Sequence, residues 1–374
     1  MVNQQRAIDM FMKLVQIDSV SLHEREIADY LLSYFQKLGY EAYEDLKSKA
    51  AVSGATTGNV IVKIPGTIEG PAIMLCAHMD TVEPGNGVKP RISADGKYIE
   101  SDKTTILGAD DKVGIAEIIE LVAILAENTL EHPPLELVFP ICEEIGLFGA
   151  THLDTTGLTA KIVYVLDGGP GPGDAIIGGP DYYEIIGKVT GKSTHAGGSP
   201  EKGISSIQVV SDAISNMNLL KIDEETTSNV GFVTCDYPLN VVPEITEFGI
   251  EVRSLSVEKA AKQKDHIINA LEVATKKFGA KLDYTVEKTL HAYKLDENNP
   301  VLKRFKKVCL AHNIPVTANI SRGGTDLSAL TGHGLEGIVI AGGGEFAHEL
   351  QERLEIKNFV ACIEQLLYLV TDPE

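Results

Sequence analysis

The run LVFPICEEIG, residues 137–146, is apolar until it ends in two adjacent carboxylates, Glu143 and Glu144. Like charges that close repel one another and resist leaving water, so the end of this strand calls for something of opposite sign. Four other places carry residues able to answer or share that demand. IMLCAHMD ends in His78 and Asp80, whose spacing of two aims both side chains at one face of a strand. LGADD puts Asp110 at the start of a helix, VYVLD ends in Asp167, and GGGEFAHE holds His348 in a glycine-rich loop. Two histidines with several carboxylates and no cysteine make the ligand set of a hydrolytic zinc site. Singly these residues say little. A lone histidine is commonly satisfied on the surface or in the core, and Asp110 could simply cap its helix. Together, in this order and at strand ends, they point to a metal centre.

The elements needed to position these residues can be read from periodicity. The opening segment predicts two helices. Ser21 and Glu24 have capping-box spacing, Ile27, Leu31, Phe35 and Leu38 mark one face, and Gly39 stops the second helix. NVIVKIPG and PAIMLCAH predict strands, and Asp95-Gly96 a hairpin. DDKVGIAEIIELVAILAEN predicts a helix with one apolar face, and LELVFPI and KIVYVLD fully apolar strands of a sheet covered on both sides. This alternation implies an α/β domain with a mixed, largely parallel sheet and helices on both faces. DGGPGPGDAIIGGPD, residues 167–181, reads as a linker. The segments that follow have the β-α-β-β-α-β order of a ferredoxin-like α+β unit, and from about residue 292 the α/β rhythm resumes. The predicted organisation is a discontinuous catalytic domain, 1–178 and 292–374, with a lid or dimerisation domain, 179–291, inserted in it.

Composition excludes several partners. The formal net charge is −20, from 53 acidic against 33 basic residues, with no Lys/Arg run, which argues against nucleic acid. No segment approaches the roughly 20 apolar residues of a membrane span, and the N-terminus lacks the pattern of a signal peptide. Five scattered cysteines without a C-x-x-C pair suggest buried thiols in a reducing compartment, so a cytoplasmic location is expected.

The words HMD, GADDK, CEEIG, LDGG, THAGGSP, RGGTD and H-x-L-x-E, in this order, resemble the M20 family of di-zinc peptidases, and within it the peptidase T branch of aminopeptidases. The resemblance runs from His78 to His348 and implies five metal ligands. His78 and Asp167 would hold one zinc, Glu144 and His348 the other, and Asp110 would bridge the pair. It further implies that Asp80 orients His78, that Asp111 supports the bridging ligand across a peptide bond that tends to be cis in this family, and that Glu143 is the general base toward zinc-activated water. In the inserted domain, His195, Asn240 and Arg253 match positions that face the active site of a partner subunit. His195 would donate to the oxyanion, and Asn240 and Arg253 would hold the substrate's backbone and carboxylate. Arg322, Gly323 and Gly324 suit close backbone approach with a carboxylate fork, and Asp326 is expected to cap the following helix.

One departure is visible: the family branch has Pro after the lid histidine, where this chain has Ala196. That bears on substrate preference more than on chemistry. The expectation is therefore a homodimeric exopeptidase acting on short peptides, of aminotripeptidase type, with two Zn2+ per subunit (Co2+ or Mn2+ would suit the same ligands). An M20 amidohydrolase acting on N-acyl amino acids, dipeptides or carboxypeptidase substrates is the first alternative. A non-catalytic metal- or peptide-binding protein on the same fold is the second, and loss of Glu143 or Glu144 would have marked it.

Overall fold

A computed structural model describes residues 1–372, which fall into two compact units, residues 1–178 with 295–372, and residues 179–294. The first is built on an eight-stranded sheet with spatial order Glu41–Glu44, Val60–Ile64, Leu135–Phe139, Ile73–Cys76, Ile162–Gly168, Glu336–Ala341, Asp174–Ile176 and Thr317–Asn319. Its four central strands, Leu135–Phe139 to Glu336–Ala341, run parallel, and antiparallel pairings flank them. Both Leu135–Phe139 and Ile73–Cys76 are buried at every residue, as strands covered on both faces must be.

The helix Ala109–Asn128 follows the HMD strand segment and packs against Gln4–Val15 and Ile356–Thr371. Phe11 and Phe359 meet across that contact with ring centroids 5.9 Å apart. The helix is buried nearly all round rather than on one face, and even Lys112, Glu117 and Glu120 are inside. A second sheet pairs the hairpin Arg91–Ile92 and Tyr98–Glu100 with Arg353–Glu355 and Gly344–Glu345, and so anchors both sides of the loop carrying His348. Gly96 turns that hairpin at φ 73°, a conformation that favours glycine.

Two expectations need correction here. Part of the glycine/proline stretch is a sheet strand, Asp174–Ile176, parallel to Thr317–Asn319 and antiparallel to Glu336–Ala341. Gly173 enters it at φ 87°, where a Cβ would lie 1.8 Å from the Pro315 carbonyl oxygen, so glycine there admits close strand approach rather than flexibility. Secondly, the helix Arg25–Lys37 has Glu24 at its N-cap with no side-chain cap bond, and Leu38 lies beyond its end, exposed.

The second unit is an antiparallel five-stranded sheet, ordered Leu220–Lys221, Thr226–Thr234, Ile245–Ser254, Asp181–Thr190 and Lys281–Leu290. Helices Ser206–Ser215 and Val257–Phe278 pack on it around Ile185, Val189, Phe248, Ile250 and Val252. The order of the four long strands is that of the ferredoxin-like split. Among the described residues, no helix is long and apolar enough to cross a membrane. Cys76, Cys142, Cys309 and Cys362 are buried, whereas Cys235 is half-buried, and all are free thiols.

Candidate metal centre

Because the central strands are parallel, the segments leaving Ile73–Cys76, Leu135–Phe139 and Ile162–Gly168 emerge at one edge of the sheet, where open α/β sheets place their sites. His78 lies two residues beyond its strand, 1% exposed. Its Nδ1 meets the Asp80 carbonyl oxygen at 3.0 Å, and its Nε2 lies 3.0 Å from Asp110 Oδ1. His348, held at φ 68°, sets its own Nε2 at 3.3 Å from Asp110 Oδ2 and 3.0 Å from Glu144 Oε1. Asp110 thus turns one oxygen to each histidine. Ligand atoms of His78, Asp110 and Glu144 all lie within 4.8 Å of one another.

The carboxylates around this cluster are placed by backbone amides. Asp80 accepts from the Glu143 and Glu144 amides at 2.9 and 3.2 Å and from the Ser21 hydroxyl at 2.7 Å. Burial works against its charge, yet His78, Ser21 and the Glu143 amide outweigh it and hold Asp80 below the usual carboxylate range. Asp111, joined to Asp110 by a cis peptide, accepts from the His78 amide at 3.2 Å and the Gly114 amide at 3.3 Å. Asp167 shares with Asp110 a cavity of about 50 Å³ lined also by Ala109, Leu166, Gly342 and Glu352.

Electrostatically the cluster is crowded with anions. Burial raises Glu143 well above the ordinary glutamate value, and the charges of Asp167, Asp326 and Glu144 add to the effect against His78. Burial and the Asp110 charge raise Asp167 likewise. Hydrogen bonds to Asp110 and Glu144 push His348 up to about 10, while Asp110 and Asp80 raise His78 against the effect of its burial. Two imidazoles and several crowded carboxylates, with no thiol, form a donor set that suits a divalent cation such as zinc.

Three neighbours went unassigned or were read differently in the sequence. Glu352, 2% exposed, accepts from the amides of Leu107 and Gly108 at 2.7 Å and of Asp110 at 3.0 Å, so it caps the start of the Asp110 helix from far along the chain. Burial nevertheless raises it to about 7. Asp326 does not cap its helix by an outward side chain. It is buried beside Cys76, whose sulfur is 3.9 Å away, and burial lifts it to about 7. Ser21 donates its hydroxyl to Asp80 instead of accepting from a helix amide. The S-x-x-E and T-D spacings fit helix caps equally well, and nothing local distinguishes the two uses.

Arg322 and Gly323 lie exposed, and Gly324 half-buried, in the loop before helix Asp326–Gly332. In the second unit, exposed His195 accepts at Nδ1 from the amides of Gly197 and Gly198, at 3.1 and 3.0 Å, so the neutral ring carries its proton on Nε2. Asn240 lies beside it, its carbonyl taking the Ala196 amide at 2.9 Å. Arg253 lies on another strand, over the Tyr182 ring at 4.4 Å and paired with Glu251 at 3.0 Å.

A sequence profile of peptidase family M20/M25/M40 matches residues 74–372. Bacillus subtilis YqjE is 36% identical over 372 residues, covering 100% of this chain and 99% of that one. The crystal structure of aminopeptidase PepT from Bacillus cereus superimposes with TM-score 0.91 at 35% identity, covering 99% of this chain and 98% of that one. A tripeptidase from Staphylococcus aureus does so with TM-score 0.92 at 34% identity and the same coverage of 99% and 98%.

Proposed function

Since the chain belongs to the M20/M25/M40 peptidase family and is peptidase T-like, we propose that this peptidase is a metal-dependent aminopeptidase of short peptides, tripeptides foremost. The observation that carries the reading is the division of Asp110 between two histidines, Oδ1 toward His78 and Oδ2 toward His348 with Glu144. On this reading His78 and Asp167 hold one Zn2+, Glu144 and His348 a second, and Asp110 both. Bound there, the cations would lower the pKa of water and polarise the scissile carbonyl.

The protein's own groups supply the rest. Asp80 fixes the His78 ring and, through the two amides it accepts, the turn that carries Glu143 and Glu144. Glu143 takes the proton of the attacking water at its carboxylate and passes it to the departing amine. His195, with its proton on Nε2, is suited to donate to the developing oxyanion, and Asn240, Arg253, Arg322 and the Gly323-Gly324 backbone to hold the substrate. We further propose a cytoplasmic homodimer joined through the second unit. The S. aureus tripeptidase and B. cereus aminopeptidase support the substrate class.

The test is a panel of tripeptides, dipeptides and N-acyl amino acids given to protein first stripped by chelator and then supplied with zinc, cobalt or manganese. Release of the N-terminal residue from tripeptides, dependent on metal, is expected. Turnover confined to N-acyl amino acids would replace this reading with an amidohydrolase, and full activity in metal-free protein would remove the metal mechanism.

A further inference from the structure

The S-x-x-E word at Ser21 and Glu24 has no capping role, and the metal centre as described uses only its serine. The segment containing it is a strap along the HMD strand segment. Thr81 donates its amide to the Ser19 carbonyl at 3.0 Å, Ser21 returns an amide to Thr81 at 3.3 Å, and the Ser19 hydroxyl reaches the Met79 carbonyl at 2.8 Å. Leu22 then turns at φ 73° and sends Glu24 inward, where it is 0% exposed. One oxygen of Glu24 collects the Leu22 amide at 3.1 Å, the Cys142 amide at 3.0 Å and the Cys142 thiol at 3.2 Å. Its other oxygen is buried with no partner among the described residues.

Cys142 is where the chain must turn from the apolar strand to the paired carboxylates. It does so at φ 53°, a left-handed conformation unfavourable for a non-glycine residue. Three successive amides at this turn are then each held by a buried carboxyl group: Cys142 by Glu24, and Glu143 and Glu144 by Asp80. Burying a second carboxyl near Asp80 is itself unfavourable, and burial with the Asp80 charge raises Glu24 above the usual range. Such a group persists where the geometry it imposes matters.

We propose that Glu24 is a positioning residue of the hydrolytic reaction, holding the Cys142 amide so that Glu143 meets the attacking water in line; this rests on the reading of Glu143 as the base. What Glu24 supplies is an acceptor at a fixed reach, so a glutamine, whose amide oxygen can accept the same donors, should replace it. An aspartate keeps the charge but is one methylene short, and should not.

The experiment measures kcat, KM and metal content for metal-loaded Glu24→Gln, Glu24→Asp, Glu143→Gln and the Glu24→Asp/Glu143→Gln double variant. Glu24→Asp is expected to lose about tenfold or more in kcat with KM and metal content held, since small misplacements of a reacting group are costly. Glu24→Gln should stay within a few-fold of the parent, and the double variant should be no slower than Glu143→Gln alone. If Glu24→Asp is less stable but turns over normally, or if its loss multiplies that of Glu143→Gln, the proposal is overturned while the general-base reading stands. If Glu143→Gln itself keeps full kcat, that reading falls and this inference falls with it.

Discussion

Two stretches of the helix Ala109–Asn128 bury acid side chains under opposite conditions. In its third turn Glu120, 2% exposed, is met by the Arg6 guanidinium at 2.7 Å and the Asn3 amide at 2.9 Å. At its start, Asp110 is met by imidazoles, within a group where Asp167, Glu143 and Asp326 are all raised by burial. Between the two lies Glu117, 0% exposed, whose carboxyl oxygens have no hydrogen-bond partner among the described residues. A chain able to bring an arginine to Glu120 assembles the first turn from histidines and carboxylates. Glu120 thus has a fixed guanidinium partner, whereas Asp110 faces two imidazoles, groups able to bind a cation as the proposed function requires.

Four measurements bear on that contrast. The largest effect is expected at Glu143: substitution by Gln should cut turnover by about 10² or more with both metals retained, since proton transfer is lost and ligands are not. Elemental analysis checks the second half, and His348→Ala or Glu144→Ala should instead lose metal. A Glu143→Gln protein that lost metal yet worked when resupplied would exchange the roles of Glu143 and Glu144.

The next concerns the second unit. The Glu143→Gln and His195→Ala proteins should each be nearly inactive. If the chain dimerises as proposed and His195 serves the partner subunit, remixing the two makes about half the dimers mixed, each with one intact site, and recovers about a quarter of parent activity. No recovery, with exchange shown by mass-tagged chains, would confine His195 to its own chain.

A smaller effect is expected where the protein supplies the cation. Arg6→Met leaves Glu120 buried without its guanidinium. Because Arg6 is itself 31% exposed, the loss should be about 2 kcal/mol, below that for a fully buried pair, read from urea midpoints. A loss near zero would place Glu120 among ordinary surface pairs.

The last concerns Glu117, whose carboxyl burial raises well above the usual value. Burial disfavours its charged form in the fold, whereas the unfolded chain releases its proton above the ordinary glutamate pKa. Stability from this group is therefore whole below about pH 4.3 and falls by about 1.4 kcal/mol per pH unit as pH rises toward the folded value. Glu117→Gln should remove that slope, matching the parent near pH 4 and exceeding it in Tm at pH 7. Equal Tm curves across that range would show Glu117 to be solvated or paired.

Much of the candidate metal centre was legible because its residues stand at the ends of apolar runs. His78, Asp80, Glu143 and Asp167 interrupt or terminate segments whose period is that of a buried strand, and a polar residue there asks for an explanation. Glu352 had no such signal. Its partners Leu107 and Gly108 lie 245 and 244 residues earlier, and no local pattern announces a hydrogen bond closed over that distance. The strand Asp174–Ile176 was hidden for a different reason: the glycines that admit it to the sheet carry the same letters as a linker. Ser21, Glu24 and Asp326 were visible as helix-cap spacings, and their true partners were tertiary.

The central position of Glu336–Ala341, between Ile162–Gly168 and Asp174–Ile176, has a consequence for the order of events on the ribosome. A nascent chain that has emerged only to residue 335 lacks that strand, and with it His348. Its strand Ile162–Gly168 is left with an open apolar edge, the kind that recruits other chains. The second unit, by contrast, is complete in sequence by residue 294 and can fold while the rest is being made. Chains arrested at residue 335 should accordingly yield a protease-resistant fragment from the second unit and degrade elsewhere. If His348 is a ligand as proposed, the metal centre can be completed only after every strand of that sheet has left the ribosome.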